Sequence, residues 1–338
     1  MSVTAASNSK KSRAPSLSFS SLPEEVVLKC LFRVPRCYDL NLSLVSKTLR
    51  SLVRSPELYR LPSQLKSVYL SYDLYQRGRL GRSLSYWITF RPGEKTTDYQ
   101  LADVLPRPSL GSAISVGSEI YFIGGRSMKV CRSDVKVAVG LVDRKIYVIG
   151  GSKEDSQVEE FDPETQTWGF AGEEKLKCES WFSATLEEKV YMVNWDGRVS
   201  TYSPREGVNN EATEILSVGD NVKFLCVVEN VLYACFKWGG LMWFNTKLKV
   251  WRRVVDRDGK DGKLELYSFA AVKMVEYEGT IAFFWPLRNI DPNKKDLTCK
   301  LIALDRVGEE ISGRIEWSGI VATLPHNIRL KDCLVVSG

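Results

Sequence analysis

Residues 145–151 read KIYVIGG, and residues 161–168 read FDPETQTW. The first stretch is a short apolar run that ends on two glycines, which permit close backbone approach or a positive φ at a strand end. The second places an aromatic residue seven positions before a tryptophan, with turn-forming residues between the two. Together the two stretches predict an inner strand followed by a strand, a tight turn and another strand.

Both halves of this pattern recur along the chain. The apolar run returns with its two glycines at residues 119–125, and without them at residues 188–193, 230–235 and 278–283. The aromatic–tryptophan spacing returns as FNTKLKVW at residues 244–251. Tyr147, Tyr191 and Tyr233 lie 44 and 42 residues apart, a period typical of propeller blades. The sequence therefore predicts a series of small sheets from about residue 112 onward.

These segments resemble kelch repeats, in which paired glycines close an inner strand and the spaced aromatic and tryptophan pack between neighbouring blades. The resemblance implies an all-β propeller over residues 112–338. A four-stranded blade is too small to bury both of its faces, and radial stacking of blades covers the large aromatic side chains. We therefore predict that Trp168, Trp251 and Trp317 fill the seams between blades and do not contact a ligand.

The predicted propeller is degenerate, with five or six blades. Only 12 residues separate Gly125 from Ala138, where the next blade begins, so the first blade is expected to lack its outer half. In the third blade, Tyr202 is followed seven residues later by Asn209 instead of a tryptophan. In the fifth blade, a longer insertion precedes Trp317.

The N-terminal part of the chain has helical spacing. Residues 21–24 (SLPE) form a capping-box pattern with Pro23 in the first helical turn, followed by apolar residues on one helical face. Pro35 ends this helix. Asp39 is a candidate N-cap for a second helix, whose apolar residues repeat at steps of three and four, and Ser55 begins a third. About forty residues cannot close a core of their own, so this module is expected to bury its apolar face against something else.

This module resembles an F-box, the helical domain that docks a substrate receptor onto the Skp-type adaptor of a cullin–RING ubiquitin ligase. The matching segments are residues 22–24, 34–35, 44–47 and 49–52, together with Leu28 and Leu31. Leu49 stands where many F-boxes carry a tryptophan, and this smaller side chain lowers the expected affinity for the adaptor. The resemblance implies that the adaptor contacts Leu22, Pro23, Leu28, Leu31, Val34, Pro35, Leu44, Val45, Leu49 and Leu52. The alternative is a three-helix cap that packs on the chain's own domain.

The complete organisation resembles the plant F-box/kelch-repeat family over residues 20–338. We predict a multidomain fold, α plus all-β, in four parts: a disordered N-terminal tail (1–19), the F-box helical module (20–66), a connector (67–111) and the kelch-repeat β-propeller (112–338). Within the connector, residues 68–72 and 85–90 alternate enough to be strands. The Ser-rich tail has the composition of a transit peptide, but the helices begin so soon after it that a disordered tail is the preferred interpretation.

The overall composition is that of a globular protein, with 44% apolar and 26% charged residues in a chain of 338. No apolar run approaches the roughly 20 residues that a membrane helix needs, so no membrane association is predicted. The eight cysteines form no CxxC pair and His326 is the single histidine, which argues against a structural zinc site. We predict neither a metal nor another cofactor.

Basic residues are concentrated near the N-terminus. Residues 1–70 contain 11 Lys and Arg against 4 Asp and Glu, whereas the remaining 268 residues contain 36 against 37. Binding to nucleic acid would account for this excess, but no aromatic stacking pattern or reader motif accompanies it. An acidic protein partner accounts for it equally well, and Skp-type adaptors resemble such a partner. We predict no nucleic-acid partner, and we expect the protein in the cytoplasm and/or the nucleus.

The residues that common enzymes need are missing from the sequence. A copper radical oxidase on a kelch scaffold would need two histidine ligands, and a Ser-His-Asp hydrolase would depend on His326, with no nucleophile elbow nearby. Carboxylate pairs such as Glu159-Glu160 point to opposite faces of a strand and do not converge. We therefore predict a non-catalytic substrate receptor of a ubiquitin ligase, which binds a Skp-type adaptor, through it a cullin, and an unknown target protein. The alternative is a kelch interaction scaffold or small-molecule enzyme, whose N-terminal helices only cap the propeller.

Three loops are candidates for the target-binding surface. Residues 195–198, 237–240 and 285–288 each follow an inner strand at equivalent positions of the repeat. Each pairs a tryptophan with an arginine or lysine, residue types enriched in binding hot spots. The candidate residues are Trp195, Arg198, Lys237, Trp238, Trp285 and Arg288. The alternative is that these tryptophans fill the seams between blades.

Overall fold

The chain divides into a helical unit, residues 1–63, and a strand-built unit, residues 64–338. The computed structural model describes residues 22–32, 39–53, 66–74, 85–91, 100–102, 112–123, 132–152, 157–173, 182–211, 213, 220–257, 264, 266 and 272–337. No helix within these residues is long and apolar enough to cross a membrane.

The helical unit contains α1 (Glu24–Phe32), α2 (Asp39–Val45) and α3 (Lys47–Val53). The carbonyl oxygen of Pro23 accepts hydrogen bonds from the backbone N–H groups of Val26 and Val27, at 2.9 and 3.1 Å. Pro23 is therefore the N-cap of α1, one position before the first helical turn predicted for it. Ser21 of the capping box and the predicted start of a third helix at Ser55 lie outside the described residues.

The predicted second helix is divided at Ser46. The hydroxyl oxygen of Ser46 accepts a hydrogen bond from the backbone N–H of Leu49 at 3.0 Å, which is N-cap geometry. A serine side chain in this position competes for the backbone hydrogen bonds of a continuous helix, so α2 ends and α3 begins at this residue. The apolar spacing from Leu42 to Leu52 runs across the break, which is why the spacing alone predicts one helix.

The three helices enclose a small core of their own. Its buried members, each less than 10% exposed, are Val27, Leu31, Leu52 and Val53. Partly buried against them are Leu28, Leu42 and Leu49. The expectation that this module closes no core is therefore wrong, because residues of α1 and α3 cover one another.

The second unit contains 23 strands within the described residues. They are β1 (Lys66–Leu74), β2 (Ser85–Phe90), β3 (Gln100–Ala102), β4 (Ser112–Val116), β5 (Glu119–Ile123), β6 (Arg132–Val142), β7 (Lys145–Ser152), β8 (Gln157–Asp162), β9 (Thr167–Glu173), β10 (Phe182–Leu186), β11 (Lys189–Val193), β12 (Val199–Ser203), β13 (Gly207–Asn210), β14 (Val222–Val228), β15 (Val231–Phe236), β16 (Gly240–Asn245), β17 (Val250–Arg253), β18 (Val255–Asp256), β19 (Lys273–Tyr277), β20 (Thr280–Arg288), β21 (Lys294–Val307), β22 (Glu310–Pro325) and β23 (Ile328–Ser337).

These strands form six sheets, which we number blades 1 to 6. From the axis outward, their orders are β23-β1-β2-β3, β4-β5, β6-β7-β8-β9, β10-β11-β12-β13, β14-β15-β16-β17 and β19-β20-β21-β22-β18. The innermost strands β23, β4, β6, β10, β14 and β19 contact one another in a closed ring. The fold is therefore the predicted β-propeller, with six sheets in the described residues. Blade 2, where a shortened blade is predicted, contains two strands in the described residues.

The ring is closed by the two ends of the second unit. The last strand, β23, pairs antiparallel with β1, which places Lys66 opposite Ser337 and Leu74 opposite Ile328. Strands β1, β2 and β3 lie within residues 66–102. Apart from Lys66, this is the segment predicted to be a connector, residues 67–111. These strands are part of the propeller, where they complete blade 1, so the segment is not a separate connector.

Strand register explains the spacing of the aromatic residue and the tryptophan. Phe161 lies directly opposite Trp168 on β8 and β9, and their ring centroids are 5.0 Å apart. Phe244 lies opposite Trp251 on β16 and β17, with centroids 5.1 Å apart. In the second turn, the side-chain oxygen of Asn245 accepts two backbone N–H bonds, at 3.1 and 3.0 Å, and so forms an Asx turn. A spacing of seven residues therefore makes the two aromatic side chains neighbours across a tight turn.

Large side chains fill the seams between adjacent blades. One buried cluster contains residues of β14, β15 and β16 from blade 5 together with residues of β19 to β22 from blade 6. Trp251 is 3% exposed, and its indole Nε1 donates a hydrogen bond to the carbonyl oxygen of Gly197 in blade 4 at 2.8 Å. Trp251 thus spans a seam as predicted. Trp168 and Trp317 are only partly buried, although each packs against a core cluster.

Candidate functional site

Equivalent turns of the blades lie on the same face of the ring, because every blade repeats the same antiparallel strand order. We call the face with the turns between second and third strands the upper face, and the opposite one the lower face. In blades 4, 5 and 6 we define the upper rim as residues 194–198, 237–239 and 287–293. Five of the six predicted target-binding residues lie on these three segments: Trp195, Arg198, Lys237, Trp238 and Arg288.

The upper turn of blade 4 presents Trp195, whose side chain is 46% exposed. The side-chain oxygen of Asn194 accepts a hydrogen bond from the backbone N–H of Arg198 at 2.7 Å. Gly197 has a φ of 89°, and a Cβ at this position would lie 3.0 Å from the ring of Phe236. The turn is therefore closed tightly beneath an exposed tryptophan, and residue 197 has to be a glycine for both reasons.

The upper turn of blade 5 presents Trp238, which is 62% exposed. The Nζ atom of Lys237 lies 4.5 Å from the centroid of the Trp238 ring. Beneath the turn, the carboxylate of Asp220 is 5% exposed and accepts hydrogen bonds from the backbone N–H groups of Trp238 and Gly239, at 2.8 and 2.7 Å. Because both oxygens of a buried carboxylate are engaged, the turn is fixed in position.

One segment of the chain connects these two turns. The backbone N–H of Val222 donates to the carbonyl oxygen of Trp195 at 2.9 Å, and the N–H of Lys237 donates to the carbonyl oxygen of Asn221, also at 2.9 Å. Asp220 is the preceding residue in the same segment. Residues 220–222 therefore bond to both turns, so the blade 4 and blade 5 turns form one connected surface.

The third predicted tryptophan does not lie on this surface. Trp285 is 5% exposed and belongs to the buried cluster between blades 5 and 6, with its ring centroid 5.7 Å from that of Phe283. The reason is that β20 continues three residues beyond it, to Arg288, which leaves Trp285 inside the blade. For Trp285 the alternative interpretation, a seam residue, is therefore the correct one.

Ile290 takes the place expected for Trp285. Trp195 and Trp238 each lie two residues beyond the end of a second strand, β11 and β15, and Ile290 lies two residues beyond the end of β20. The Ile290 side chain is fully exposed, and Leu287 is 45% exposed. Residue type alone does not reveal this position. The signal is strand length, since β20 has nine residues against five and six in β11 and β15.

The charged candidates of the upper rim differ in their partners. Arg198 is paired inside its own turn, with Nε 3.3 Å from Oδ2 of Asp196. Within the described part of the chain, no carboxylate lies at ion-pair distance from Lys237 or Arg288. The upper rim therefore combines exposed apolar side chains with two uncompensated cations, a combination suited to binding a protein.

In the helical unit, the predicted adaptor-binding residues fall into a buried and an exposed group. Leu31 and Leu52 are 5% and 7% exposed and belong to the core, with Leu28 and Leu49 partly buried against them. Leu31 and Leu52 therefore hold α1 against α3 and are not accessible to a partner. The predicted contacts Val34 and Pro35 lie outside the described residues.

The exposed group lies just before α1 and on α2. Leu22 is 37% exposed, Pro23 beside it is also exposed, and Leu44 and Val45 are 70% and 72% exposed. Val26, which is absent from the predicted set, is 41% exposed. Its sequence signal is an apolar side chain in the first turn of α1, close in sequence to the predicted contacts Leu22 and Pro23.

Comparison with known proteins identifies both units. Residues 19–61 match the F-box domain model, and residues 126–322 match the model described as FKB95, Kelch-repeats domain. Three Arabidopsis thaliana proteins named as F-box/kelch-repeat proteins are 41%, 36% and 33% identical to this chain. Each alignment covers 95% of this chain, and they cover 97%, 94% and 94% of the relatives. The chain belongs to the F-box/kelch-repeat protein family.

Membership of the F-box/kelch-repeat family confirms both resemblances drawn from the sequence. The F-box match contains α1, α2 and α3, and the kelch match extends from before β6 into β22, across blades 3 to 6. An F-box implies binding to a Skp-type adaptor. An F-box joined to kelch repeats supports, in general terms, a substrate-receptor role in Skp–cullin–F-box ligases.

The F-box/kelch-repeat family name suggests an adaptor-type receptor and not a catalyst. Burial raises the pKa of the Cys226 thiol and raises that of Cys235 to about 12, so neither is a thiolate nucleophile at neutral pH. His326 is exposed in the turn between β22 and β23. Among the residues that the structure describes, no group of three or more His, Cys, Asp and Glu side chains is arranged to hold a metal ion.

Proposed function

We propose that this F-box/kelch-repeat protein is the substrate-recognition subunit of a Skp–cullin–F-box ubiquitin ligase. In this role the helical unit binds a Skp-type adaptor, and through it a cullin, while the upper rim of the propeller binds the target protein. The chain itself performs no chemistry; it raises the effective concentration of the target near the transferring enzymes. Such a subunit acts in the cytoplasm and/or the nucleus.

One observation carries the target-binding part of this proposal. Three successive blades place an exposed apolar side chain, Trp195, Trp238 or Ile290, two residues beyond the end of the second strand. An exposed apolar side chain gains nothing for the fold, and several of them at equivalent positions on one face are typical of an interaction surface. Lys237 and Arg288 beside them favour a target with acidic groups, through complementary charge.

The adaptor-binding part of the proposal is supported by the exposed residues of the helical unit. Leu44 and Val45 are more than two-thirds exposed on a helix whose Leu42 already packs against the core of the unit. They lie within the stretch that matches the F-box domain model, residues 19–61. Burial of two such side chains against a partner contributes about 1.5–3 kcal/mol each, on the scale for a Val or Leu side chain.

The competing hypothesis is a kelch interaction scaffold outside any ligase, whose helices serve only the propeller. The two hypotheses differ in one measurable property, direct binding to a Skp-type adaptor. The test uses the full-length chain and a purified adaptor, with complex formation followed by size-exclusion chromatography and titration calorimetry. Failure of the parent chain to bind the adaptor would rule out the ligase role.

The variant for this test is Leu44→Asp with Val45→Asp. It should weaken adaptor binding by at least about tenfold, because two apolar contacts are replaced by charges that must be desolvated. Folding should be largely spared, since both side chains are exposed in the free chain. The matched control is Leu248→Asp, a change at a 55% exposed leucine in the propeller, which should leave adaptor binding unchanged. Equal affinity of the double variant and the parent would place the adaptor elsewhere on the helical unit.

A further inference from the structure

A cavity of about 640 Å³ lies at the centre of the propeller, on its axis. Residues of all six innermost strands line it, together with Lys66 at the start of β1. A volume of this size is within the range of roughly 300–1,000 Å³ typical of small-molecule sites. The cavity lies on the ring axis, apart from the exposed turns of the upper rim, and the proposed target-binding role does not use it.

Three lysines line this cavity, and two of them are neutralised. The Nζ atom of Lys66 lies 3.0 Å from both carboxylate oxygens of Glu276. The Nζ atom of Lys331 lies 3.1 Å from Oδ2 of Asp73. Lys273 differs: no carboxylate of the described residues lies at ion-pair distance from its ammonium group. Of the three described lysines that line the cavity, Lys273 is therefore the one whose ammonium group makes no ion pair.

The surroundings of Lys273 are aromatic. Its Nζ atom lies 4.3 Å from the ring centroid of Phe224, on the neighbouring innermost strand β14. Phe182 of β10 packs edge-on against Phe224, with ring centroids 6.2 Å apart. Cys226 and Val275 also line the wall. The ammonium group thus stands beside an apolar, aromatic surface in a half-open cavity, where an ion pair is stronger than in bulk water.

Burial lowers the pKa of Lys273 to about 8. On the adjacent strand β23, Asp332 and the Cys333 thiol favour the charged form, while Lys331 and Arg329 disfavour it. The carboxylate of Asp332 is itself bonded, since its Oδ2 accepts a hydrogen bond from the hydroxyl of Ser71 at 3.3 Å. Lys273 therefore remains charged at neutral pH, at a cost that an anion placed next to it would remove.

We propose that the central cavity binds a small organic monocarboxylate with an aromatic body. The carboxylate pairs with the ammonium group of Lys273, and the aromatic body lies against Phe182 and Phe224. A single lysine outside any ion pair matches a single negative charge, which favours a monoanion over a phosphate dianion.

The test measures binding of defined probes to the full-length chain by calorimetry and thermal melting. The probes are 3-phenylpropionate and 2-naphthoate, each compared with its neutral amide, and inorganic phosphate reports on charge alone. Both carboxylates should bind and raise the melting temperature, and each amide should bind at least about tenfold more weakly, the loss expected for a buried charge-assisted contact. If neither carboxylate binds, or if the amides bind equally well, the proposal is wrong.

Two further measurements assign the site to Lys273. Lys273→Met should abolish the preference for carboxylate over amide, whereas Lys247→Met, which changes an exposed lysine in the turn between β16 and β17, outside the cavity, should retain it. In the parent chain, carboxylate affinity should be full below the pKa of Lys273 and should fall as pH rises from about 7 to about 10, since the ammonium group loses its proton while the probe stays charged. This pH profile decides the question even if Lys273→Met fails to fold. An unchanged preference in a folded Lys273→Met chain, or a flat pH profile, would overturn the assignment.

Discussion

The turns at the two ends of the propeller strands differ in length and in what holds them closed. On the lower face, blades 3 to 6 join their first and second strands by two-residue turns in which both residues have positive φ; these are residues 143–144, 187–188, 229–230 and 278–279. On the upper face, the turns of blades 4 to 6 are three to five residues long. Two of these upper turns are held by side chains from other parts of the chain, Asp220 and Trp251.

The lower turns are of the kind that a β-hairpin forms by itself, whereas the upper turns present a surface. A two-residue turn with positive φ at both positions matches the right-handed twist of its strands and closes a hairpin without outside help. The upper turns lack this geometry, and a buried carboxylate or indole is needed to fix them. In the upper rim that support holds tryptophans that are 46% and 62% exposed. The asymmetry is the structural argument for placing the target on the upper face.

The largest expected effect comes from replacing Trp251 by alanine. This side chain fills the seam of blades 4 and 5 and also bonds to Gly197 in the upper turn of blade 4. Emptying a buried indole site costs about 3–5 kcal/mol of unfolding free energy. The matched variant is Trp168→Ala, which removes the corresponding tryptophan of blade 3, a side chain that is only partly buried and should cost less. Denaturant titration of both variants measures the difference, and equal losses would mean that burial and the Gly197 bond do not distinguish the two sites.

Local patterns predicted the blades well because the residues that form each pattern meet locally. Phe161 and Trp168, seven residues apart, face each other across one turn, so their spacing is visible in the sequence. The strands of blade 1 are predicted to be a connector, which is wrong for the opposite reason. Its closing pair places Lys66 opposite Ser337, at the two ends of the unit, and no pattern in a short window records such a pairing.

The predicted site differs from the structure mainly where the ends of strands and helices are not visible in the sequence. Trp285 has the residue type of a binding hot spot, but β20 extends to Arg288 and encloses it, while the equivalent turn position is Ile290. In the helical unit, the apolar spacing predicted the helices but not the break at Ser46, where a side-chain hydrogen bond restarts the helix. Strand length and capping depend on packing and local hydrogen bonds, which apolar spacing does not encode.

A smaller effect, on binding alone, is expected from changing the upper rim. Trp195→Ser, Trp238→Ser and Ile290→Ser together should lower target capture by more than about tenfold, because exposed aromatic anchors dominate binding energy. Folding should be preserved, since all three side chains are exposed. The measurement is quantitative mass spectrometry of proteins retained by the purified chain, with circular dichroism as the folding check.

The control for this prediction makes a similar change on the lower face. Glu187→Ser, Glu229→Ser and Glu278→Ser together alter three exposed turn residues of blades 4, 5 and 6. This variant should retain the same proteins as the parent. If the lower-face variant loses these proteins and the upper-rim variant keeps them, the target site lies on the lower face.

The smallest expected effect is a gain in stability from a lower turn. Glu187 and Glu188 adopt φ of 49° and 57°, a conformation that costs a residue with a Cβ but suits Asn-Gly. Glu187→Asn with Glu188→Gly should therefore raise the unfolding free energy by about 0.5–1 kcal/mol, the relief of left-handed strain less the entropy cost of the added glycine. The matched change on the upper face is Trp238→Asn, which places the same dipeptide before Gly240. It should give no gain, because Asp220 and not strand twist holds that turn. Thermal melting of the two variants makes the comparison. A rise in the melting temperature of both variants would mean that the upper turn is also governed by backbone twist. A fall in that of the Glu187→Asn, Glu188→Gly variant would mean that the two glutamate side chains stabilise the fold through contacts outside their turn.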